Sequence, residues 1–358
     1  MFTFSRRRFL VSSALTFVGA VVAASLYLQS AQAERTAARH SATGYVYTAN
    51  EHGNSLSAID LANGRVETVA IPISPHNVQI TPDGARVLAV GVPAEDEHGH
   101  SGSEHAEASG QLLIFDSGAI SSGPRAAIAV GEHPAHVVAD LTAKRAFVTL
   151  SDQNALAVVD LTEGKVIATI ATGTYPHGLR VSPDDGSIYV ANVKDDSVSV
   201  IDSAKLTEVA RIPVGKAPVQ VGFLPDGTRA YVSLRDENMI AVIDTANRTV
   251  LGKIAVGRNP IQVYATPDSR YVYVANQGSE AEPADTVSVI DAGAGAVVKT
   301  IRTGAGAHGV VVGDDGQFAF ITNIVDGTVS VIEVASQEVV ETFEVGDGPN
   351  GVTFKPTR

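Results

Sequence analysis

Histidines are the side chains of this 358-residue sequence best suited to metal chemistry, because the sequence contains ten of them and no cysteine. The absence of cysteine excludes thiolate metal sites, disulfides, iron–sulfur clusters and cysteine nucleophiles. Imidazole and carboxylate groups are therefore the strong metal ligands that remain. Five of the histidines lie in or directly after a repeated Val-Gly-x-x-Pro pattern, which is more than random placement predicts.

Three further histidines lie in an insertion, residues 91–110, which interrupts the repeated part of the sequence. His98, His100 and His105 stand there among Glu and Asp residues, with few apolar residues between them. A flexible tract rich in histidine and acid is a composition typical of metal binding. We expect these three histidines to capture or deliver a metal ion, and a solvated acidic loop is the alternative.

Repeated strings show where the other histidines lie in the fold. A Val-Ser-Val-Ile-Asp-like string closes on an acidic residue seven times, at Asp60, Asp116, Asp160, Asp202, Asp244, Asp291 and Glu333. Each repeat contains four short β-branched runs separated by turn residues, as in Leu179–Ser182, Ser187–Ala191, Ser197–Asp202 and Glu208–Pro213. Four antiparallel strands in every repeat of roughly 42 residues form a propeller blade. The sequence therefore predicts an all-β, seven-bladed β-propeller.

The repeats also resemble a known family. Strings such as Tyr189-Val190-Ala191-Asn192 and Tyr273-Val274-Ala275-Asn276 are similar to the YVTN family of β-propeller repeats, and the similarity runs from Tyr45 to Lys355. The resemblance implies seven blades. The first run, Tyr45–Ala49, is a second strand and the last, Val352–Lys355, is a first strand. Pairing of these two is expected to close the ring and remove its exposed edges.

In such a ring, the residues after each repeated proline stand at one mouth of the central channel. His76, His136 and His177 belong to three consecutive blades there, and His308 lies across the channel. Converging imidazoles bind Zn²⁺ or copper, and three ligands with an open position form a common zinc site. We expect His76, His177 and His308 to be the core ligands. His136 is expected to support them, because it stands one residue out of register.

The mouth and the insertion together resemble periplasmic zinc chaperones of propeller fold, which pair a mobile His- and acid-rich loop with a channel site. Other interpretations stay open. The histidines would serve only structure if they capped the inner strands through hydrogen bonds to the backbone. A metal-free lactonase or lyase would use His177 as a general base and Arg180 to hold an oxyanion. A non-catalytic interaction scaffold is the third alternative.

The first 33 residues predict export. A basic string, Ser5-Arg6-Arg7-Arg8-Phe9-Leu10, precedes an apolar stretch over Val11–Leu28 and the small-residue exit Ala31-Gln32-Ala33. This order is that of a secretory signal peptide, and the first string is similar to a twin-arginine signal. We expect a signal peptide over residues 1–33, a linker over 34–43 and the propeller over 44–358. An uncleaved membrane anchor is the alternative.

The net charge of the sequence limits the classes of partner that we expect the protein to bind. Loss of the three arginines of the signal peptide would take the formal net charge from −13 to −16. So acidic a protein, with few aromatic residues, lacks the clustered Lys and Arg that nucleic-acid binding needs. We expect no nucleic-acid partner and no membrane association after cleavage. The sequence predicts a periplasmic propeller that binds Zn²⁺, with copper as the alternative metal, and whose partners are a metal ion or small molecule and a periplasmic protein.

Overall fold

The computed structural model describes residues 42–94 and 109–357. The predicted signal peptide, almost all of the linker, and His98, His100 and His105 lie outside the described residues. Within them, two 3-10 turns at Ile120–Ser122 and Arg235–Glu237 are the helical elements, and nearly everything else is strand or turn. The described part of the chain contains no helix long and apolar enough to cross a membrane.

Seven four-stranded antiparallel sheets make up the fold. The innermost strands are β4 (Ile73–Ile80), β8 (Pro134–Ala139), β12 (Pro176–Val181), β16 (Pro218–Phe223), β20 (Pro260–Ala265), β24 (Ala307–Val312) and β28 (Pro349–Lys355). The second strands are β1 (Tyr45–Asn50), β5 (Arg86–Pro93), β9 (Arg145–Leu150), β13 (Ser187–Asn192), β17 (Arg229–Leu234), β21 (Tyr271–Gly278) and β25 (Phe318–Asn323). The third strands are β2 (Ser55–Asp60), β6 (Gly110–Asp116), β10 (Ala155–Asp160), β14 (Ser197–Asp202), β18 (Met239–Asp244), β22 (Pro283–Asp291) and β26 (Thr328–Glu333). The outer strands are β3 (Arg65–Ala70), β7 (Ala126–Gly131), β11 (Lys165–Ala171), β15 (Thr207–Pro213), β19 (Thr249–Ala255), β23 (Ala296–Arg302) and β27 (Glu338–Glu344).

The ring is closed by its two ends. Strand β28 pairs with β1 in the order β28-β1-β2-β3, with Tyr45 opposite Lys355 and Val46 opposite Phe354. Each inner strand also contacts the inner strands of the two neighbouring blades, so the seven surround one channel. The predicted seven-bladed propeller, and its closure by the terminal strands, are confirmed.

Apolar packing between blades holds the ring together. The second and third strands are buried along almost their whole length, whereas outer strands such as β11 alternate between exposed and partly buried residues. Leu88 and Leu112 of one blade, for example, pack in one cluster with Val137 and Val148 of the next. Burying each such side chain stabilises the fold by about 1.5–3 kcal/mol. The repeated β-branched residues of the sequence therefore form the interfaces that fix the channel wall.

The repeated acidic residue has a local structural role. Asp160 ends β10, and its Oδ1 accepts hydrogen bonds from the backbone N–H groups of Thr162 and Glu163, both at 2.8 Å. Asp202 accepts in the same way from Ala204 and Lys205. An Asp side chain that bonds the backbone just ahead of it favours a tight turn. The acidic repeat thus closes the hairpin into the outer strand.

Most inner strands begin with a bulge. In β12, Pro176 lies opposite Asn192, but Leu179 lies opposite Val190, so the register shifts directly after the proline. The same shift follows Pro134 in β8. A bulge disrupts the ordinary alternation of side chains and re-aims them. Residues at the first and the second position after the proline therefore both reach the channel mouth.

The ring has two faces with different loops. We name the histidine face after the end at which the inner strands begin, and the turn face after the opposite end, which carries the Pro-Asp-Gly turns at residues 82–84 and 225–227. Pro93, at the end of β5, lies opposite Ile73, at the start of β4. The strand that leads into the insertion therefore ends on the histidine face.

Candidate metal centre

Three histidines from three consecutive blades meet at the histidine face. One ring nitrogen from each of His76, His136 and His177 lies within 4.8 Å of the others. The Nε2 atoms of His76 and His177 are 3.1 Å apart, and the ring centroids of the three pairs lie 4.8–5.6 Å apart. The His136 residue is almost fully buried, with 1% of its surface exposed. Among the described residues, this is the group of His, Asp and Glu side chains that is arranged to hold a metal ion.

The spacing of the nitrogens is close to that of a metal site. A tetrahedral zinc ion with Zn–N bonds of about 2.0–2.1 Å separates its nitrogen ligands by about 3.3 Å. The observed separation of 3.1 Å between the His76 and His177 Nε2 atoms is close to this value. The third imidazole needs a shift of about an ångström or more, which side-chain rotation supplies. One ion would thus reach all three nitrogens without rearrangement of the blades.

Hydrogen bonds on the far side of two rings aim their Nε2 atoms into the channel. The Nδ1 atom of His76 lies 2.9 Å from Glu51 Oε1, and that of His177 lies 3.3 Å from the carbonyl oxygen of Val219. A ring that donates its Nδ1–H in this way keeps the Nε2 lone pair free for a metal. Glu51 is itself held by the side-chain amide of Asn350, at 2.5 Å.

His136 has a different environment. Its Nδ1 atom lies 3.3 Å from the Nε2 atom of Gln220, and its own buried Nε2 atom has no hydrogen-bond partner among the described residues. A buried polar atom without a partner is destabilising by about 1–3 kcal/mol. A ligand bound to that nitrogen would remove the penalty. When His136 Nε2 binds a metal, its proton moves to Nδ1, and the Gln220 amide has to turn its oxygen toward the ring.

His308 stands apart from the group of three. It is 5% exposed, and its Nδ1 atom lies 3.1 Å from the carbonyl oxygen of Asn350. Its imidazole is nevertheless close enough to lower the pKa of both His136 and His177. We expected His308 among the core ligands and His136 in support, whereas the structure groups His136 rather than His308 with His76 and His177. The physical reason is the bulge after the proline, which brings the second-position His136 to the first-position histidines of the neighbouring blades. Which of these histidines bind a metal stays a prediction.

Burial lowers the pKa values of three histidines at this mouth, His136, His177 and His308. Burial is the main cause that lowers the pKa of His136 and of His177 well below the usual 6.5, and the nearby histidines lower both further. Burial likewise lowers the pKa of His308 to about 4, with a contribution from His76. Burial raises the pKa of Glu51, but the charge of His76 and hydrogen bonds from His76 and Asn350 outweigh it and bring the pKa to about 2. At neutral pH the site therefore offers the neutral imidazoles of His136 and His177 next to the Glu51 carboxylate.

The two residues considered for lactonase or lyase chemistry, His177 and Arg180, have different contacts. His177 is engaged with His76, whereas the guanidinium of Arg180 lies over the ring of Tyr264, 5.7 Å from its centroid. No hydrogen bond joins His177 to Arg180 within residues 42–94 and 109–357. The use of His177 and Arg180 together on one substrate stays an alternative prediction.

Glu51 is the functional residue that sequence reasoning missed. It follows the last residue of β1 and begins the turn between the second and third strands of its blade. At the corresponding position, the blades of β9, β13, β17, β21 and β25 carry Ser151, Val193, Arg235, Gln277 and Ile324 rather than an acid. The sequence signal for this residue was an acid at that position in the blade that precedes His76.

Comparison with known proteins agrees with the fold. The family model described as "Cytochrome D1 heme domain" matches residues 9–266, which is more than half of the chain. The model described as "YNCE-like beta-propeller" matches residues 209–356. These matches support the predicted β-propeller family, and the YVTN assignment stays a prediction. No curated protein matches the chain.

Solved structures show the same architecture at low identity. A Kuenenia stuttgartiensis hydrazine synthase chain is 19% identical, with a TM-score of 0.67, and the match covers 79% of this chain and 90% of that one. A functionally unknown protein from Desulfotomaculum acetoxidans is 17% identical, with a TM-score of 0.72, covering 88% and 100%. A putative 6-phosphogluconolactonase from Bacteroides fragilis is 14% identical, with a TM-score of 0.67, covering 88% and 98%. Likeness at this level of identity shows the fold alone.

Proposed function

The chain belongs to the family described as the cytochrome D1 heme domain, and we propose that it binds one divalent transition-metal ion, Zn²⁺ in preference to copper, between His76, His136 and His177. The observation that carries the proposal is the buried, unpartnered Nε2 of His136 beside two Nε2 atoms that lie 3.1 Å apart. Neutral imidazoles are the preferred ligands of Zn²⁺ and Cu²⁺.

A haem, which the family description names, fits this cluster poorly. The three imidazole rings contact one another with centroids 4.8–5.6 Å apart, so no macrocycle can lie between any two of them. A haem above the mouth would take one histidine on its lower face. Two of the three clustered ring nitrogens would then have no ligand. A single ion satisfies all three nitrogens.

The arrangement of the three nitrogens and the hydrogen bond behind His76 favour Zn²⁺ over Cu²⁺. A face of three nitrogens with one open position is a coordination that Zn²⁺ accepts readily, whereas Cu²⁺ prefers a tetragonal arrangement. The Glu51 carboxylate on the Nδ1 of His76 completes a carboxylate–histidine–metal relay, which fixes the ring and increases its basicity. The negative charge of Glu51 also offsets part of the charge of the ion.

We further propose that the protein acts like a metallochaperone in the periplasm, after export by the twin-arginine route. The strand that enters the insertion ends on the histidine face, which supports a role for His98, His100 and His105 in loading the channel site. Transfer onward requires a periplasmic protein partner. Lactonase chemistry is less favoured, because His177 is committed to the histidine cluster.

A competition titration tests the metal site. The full chain, freed of metal with a chelator, is titrated with Zn²⁺ and with Cu²⁺ against a chromophoric chelator. We expect His76→Ala, His136→Ala and His177→Ala each to weaken Zn²⁺ binding by at least about 100-fold, since each removes a direct ligand and loss of an outer-shell partner alone costs about 10–100-fold. The matched control is His133→Ala, because His133 lies on the same face but pairs with Asp152 at 3.0 Å.

Equal Zn²⁺ affinity in the wild type and the three variants would contradict the proposal. Substitution of His98, His100 and His105 together tests the loading role separately. We expect it to slow Zn²⁺ transfer from a chelator while the equilibrium affinity of the channel site stays within about twofold, because the direct ligands are intact.

A further inference from the structure

A cavity opens at the turn-face end of the channel, opposite the histidine cluster. Its volume is about 750 Å³, which is the size of a pocket for a small organic molecule. The polar side chains of Gln79, Arg180 and Thr353 and the apolar side chains of Ile80, Val311 and Phe354 line it. The cavity thus combines the guanidinium of Arg180 with apolar walls.

Arg180 is not used to hold the fold. Its guanidinium has one hydrogen bond, from Nη1 to the carbonyl oxygen of the neighbouring Leu179 at 3.3 Å, and it lies over the Tyr264 ring. By contrast, Arg145 donates to Asp140 Oδ2 at 3.0 Å and to the carbonyl oxygen of Ser203 at 2.7 Å. No carboxylate of the described ranges lies within ion-pair distance of Arg180.

The acidic residues of the turn face are already engaged. Asp83 accepts hydrogen bonds from Thr81 Oγ1 at 2.6 Å and from the Ala85 backbone N–H at 3.0 Å. Burial raises the pKa of Asp83, but these bonds outweigh it and lower the pKa below its usual value. Asp314 also lines the cavity, and its charge acts on Tyr264. Within residues 42–94 and 109–357, no carboxylate is thus recorded in an ion pair with Arg180.

A partly buried guanidinium without a counter-ion favours the binding of an anion. Burial lowers the pKa of Arg180, yet this group stays charged at any physiological pH. A charged group that is partly removed from water without a counter-ion is destabilising. A planar carboxylate matches the guanidinium with two parallel hydrogen bonds.

The number of available cations in the cavity indicates what charge the bound anion carries. Lys355, the other basic residue of the cavity, has its Nζ 2.8 Å from Ser117 Oγ and 5.8 Å from the Tyr45 ring centroid. One available cation suits a monoanion better than a phosphate dianion. Ile80, Val311 and Phe354 favour a ligand with an apolar body. We propose that the turn-face cavity binds an organic monocarboxylate, with Arg180 as the residue that holds its carboxylate.

The proposal does not depend on the metal site, so it is tested on metal-free full chain kept in a chelator. Benzoate, its neutral analogue benzamide and inorganic phosphate are titrated separately, with ligand-observed NMR as the readout. We expect saturable binding of benzoate that is at least about tenfold tighter than that of benzamide or phosphate, since a charge-assisted bidentate pair contributes this much.

Arg180→Gln is expected to weaken benzoate binding by at least about tenfold, and Arg180→Lys by an intermediate factor, because lysine keeps the charge and loses the fork. The matched control is Arg248→Gln, since Arg248 lines a separate cavity of about 470 Å³ on the turn face. Circular dichroism and thermal unfolding confirm that each variant folds, and Arg180→Lys serves as the test if Arg180→Gln does not.

Equal binding of benzoate and benzamide, tighter binding of phosphate, or unchanged benzoate binding in the Arg180 variants would each overturn the proposal. His76→Ala is expected to keep its benzoate affinity. A loss of Zn²⁺ binding without a loss of benzoate binding, or the reverse, thus separates failure of one site from failure of the other.

Discussion

The two ends of the central channel differ in the charge of their side chains, although the same seven inner strands form both ends. At the histidine face, burial holds His136, His177 and His308 neutral, and Glu51 supplies a negative charge beside the histidine cluster. At the turn face, Arg180 keeps a fixed positive charge. The first end is suited to accept a cation, and the second to accept an anion.

The difference shows where a repeat protein keeps its chemistry. The repeated residues fix the backbone and the blade interfaces, while the residues that face the channel vary from blade to blade. At the position of His177 the other blades carry His76, Ala135, Val219, Ile261, His308 and Asn350, and at that of Arg180 they carry Gln79, Val138, Gly222, Tyr264, Val311 and Thr353. Function at each end thus depends on departures from the repeat.

The largest expected difference between the two ends is their response to acid. A buried histidine whose folded pKa lies below the unfolded value of about 6.5 binds fewer protons than the unfolded chain below that pH, so folding stability falls as pH drops. With a folded pKa of about 4, His308 alone would remove about 2 kcal/mol between neutral pH and about pH 5. His136 and His177 add to the loss in the same direction.

Urea unfolding of the metal-free chain at neutral pH and near pH 5 measures this effect. The variant His308→Asn should lose part of the pH dependence, and Arg180→Gln should retain most of it, because the guanidinium does not titrate in this range and burial is the larger cause of the low pKa of His136. A free energy of unfolding that is the same at both pH values would contradict neutral burial of the histidines.

The next largest effect is expected from the carboxylate of the histidine face. Glu51→Gln removes the charge that orients His76 and strengthens it as a ligand, so Zn²⁺ affinity should fall by about 10–100-fold. The matched control is Glu132→Gln, which makes the same change on the same face outside the contacts of the cluster. Chelator competition gives both affinities. Equal losses in the two variants would mean that Glu51 acts only through the general field of the protein.

The smallest expected effect is electrostatic coupling between the two ends. The charge of Arg180 lowers the pKa of His136, so it also opposes a bound cation. Arg180→Gln should therefore tighten Zn²⁺ binding by a few-fold. In the wild type, saturation with benzoate should also tighten Zn²⁺ binding, because the coupling between two bound ligands is reciprocal. In Arg180→Gln, benzoate should leave the Zn²⁺ affinity unchanged. Unchanged Zn²⁺ affinity in both experiments would show that the two ends are independent.

The fold followed from local patterns, whereas the site depended on long-range geometry. Seven acidic turn residues predicted seven blades, and the side chains of five of them bond the backbone within a few residues. The place of His136 depends on a register shift after Pro134 that no local pattern marks. Glu51 meets Asn350, 299 positions away, only because the chain ends close the ring. Arg180 was noticed in the sequence, but the cavity around it was visible only in three dimensions.

The most direct test is to locate the metal. Zinc K-edge X-ray absorption of the full chain loaded with one equivalent of Zn²⁺ should show about three imidazole nitrogens at about 2.0–2.1 Å and one oxygen ligand. His136→Ala should lower the imidazole count by one, while His133→Ala and His308→Asn leave it unchanged. An imidazole count that stays the same in His136→Ala and falls in His308→Asn would contradict the assignment of His76, His136 and His177 as the ligands.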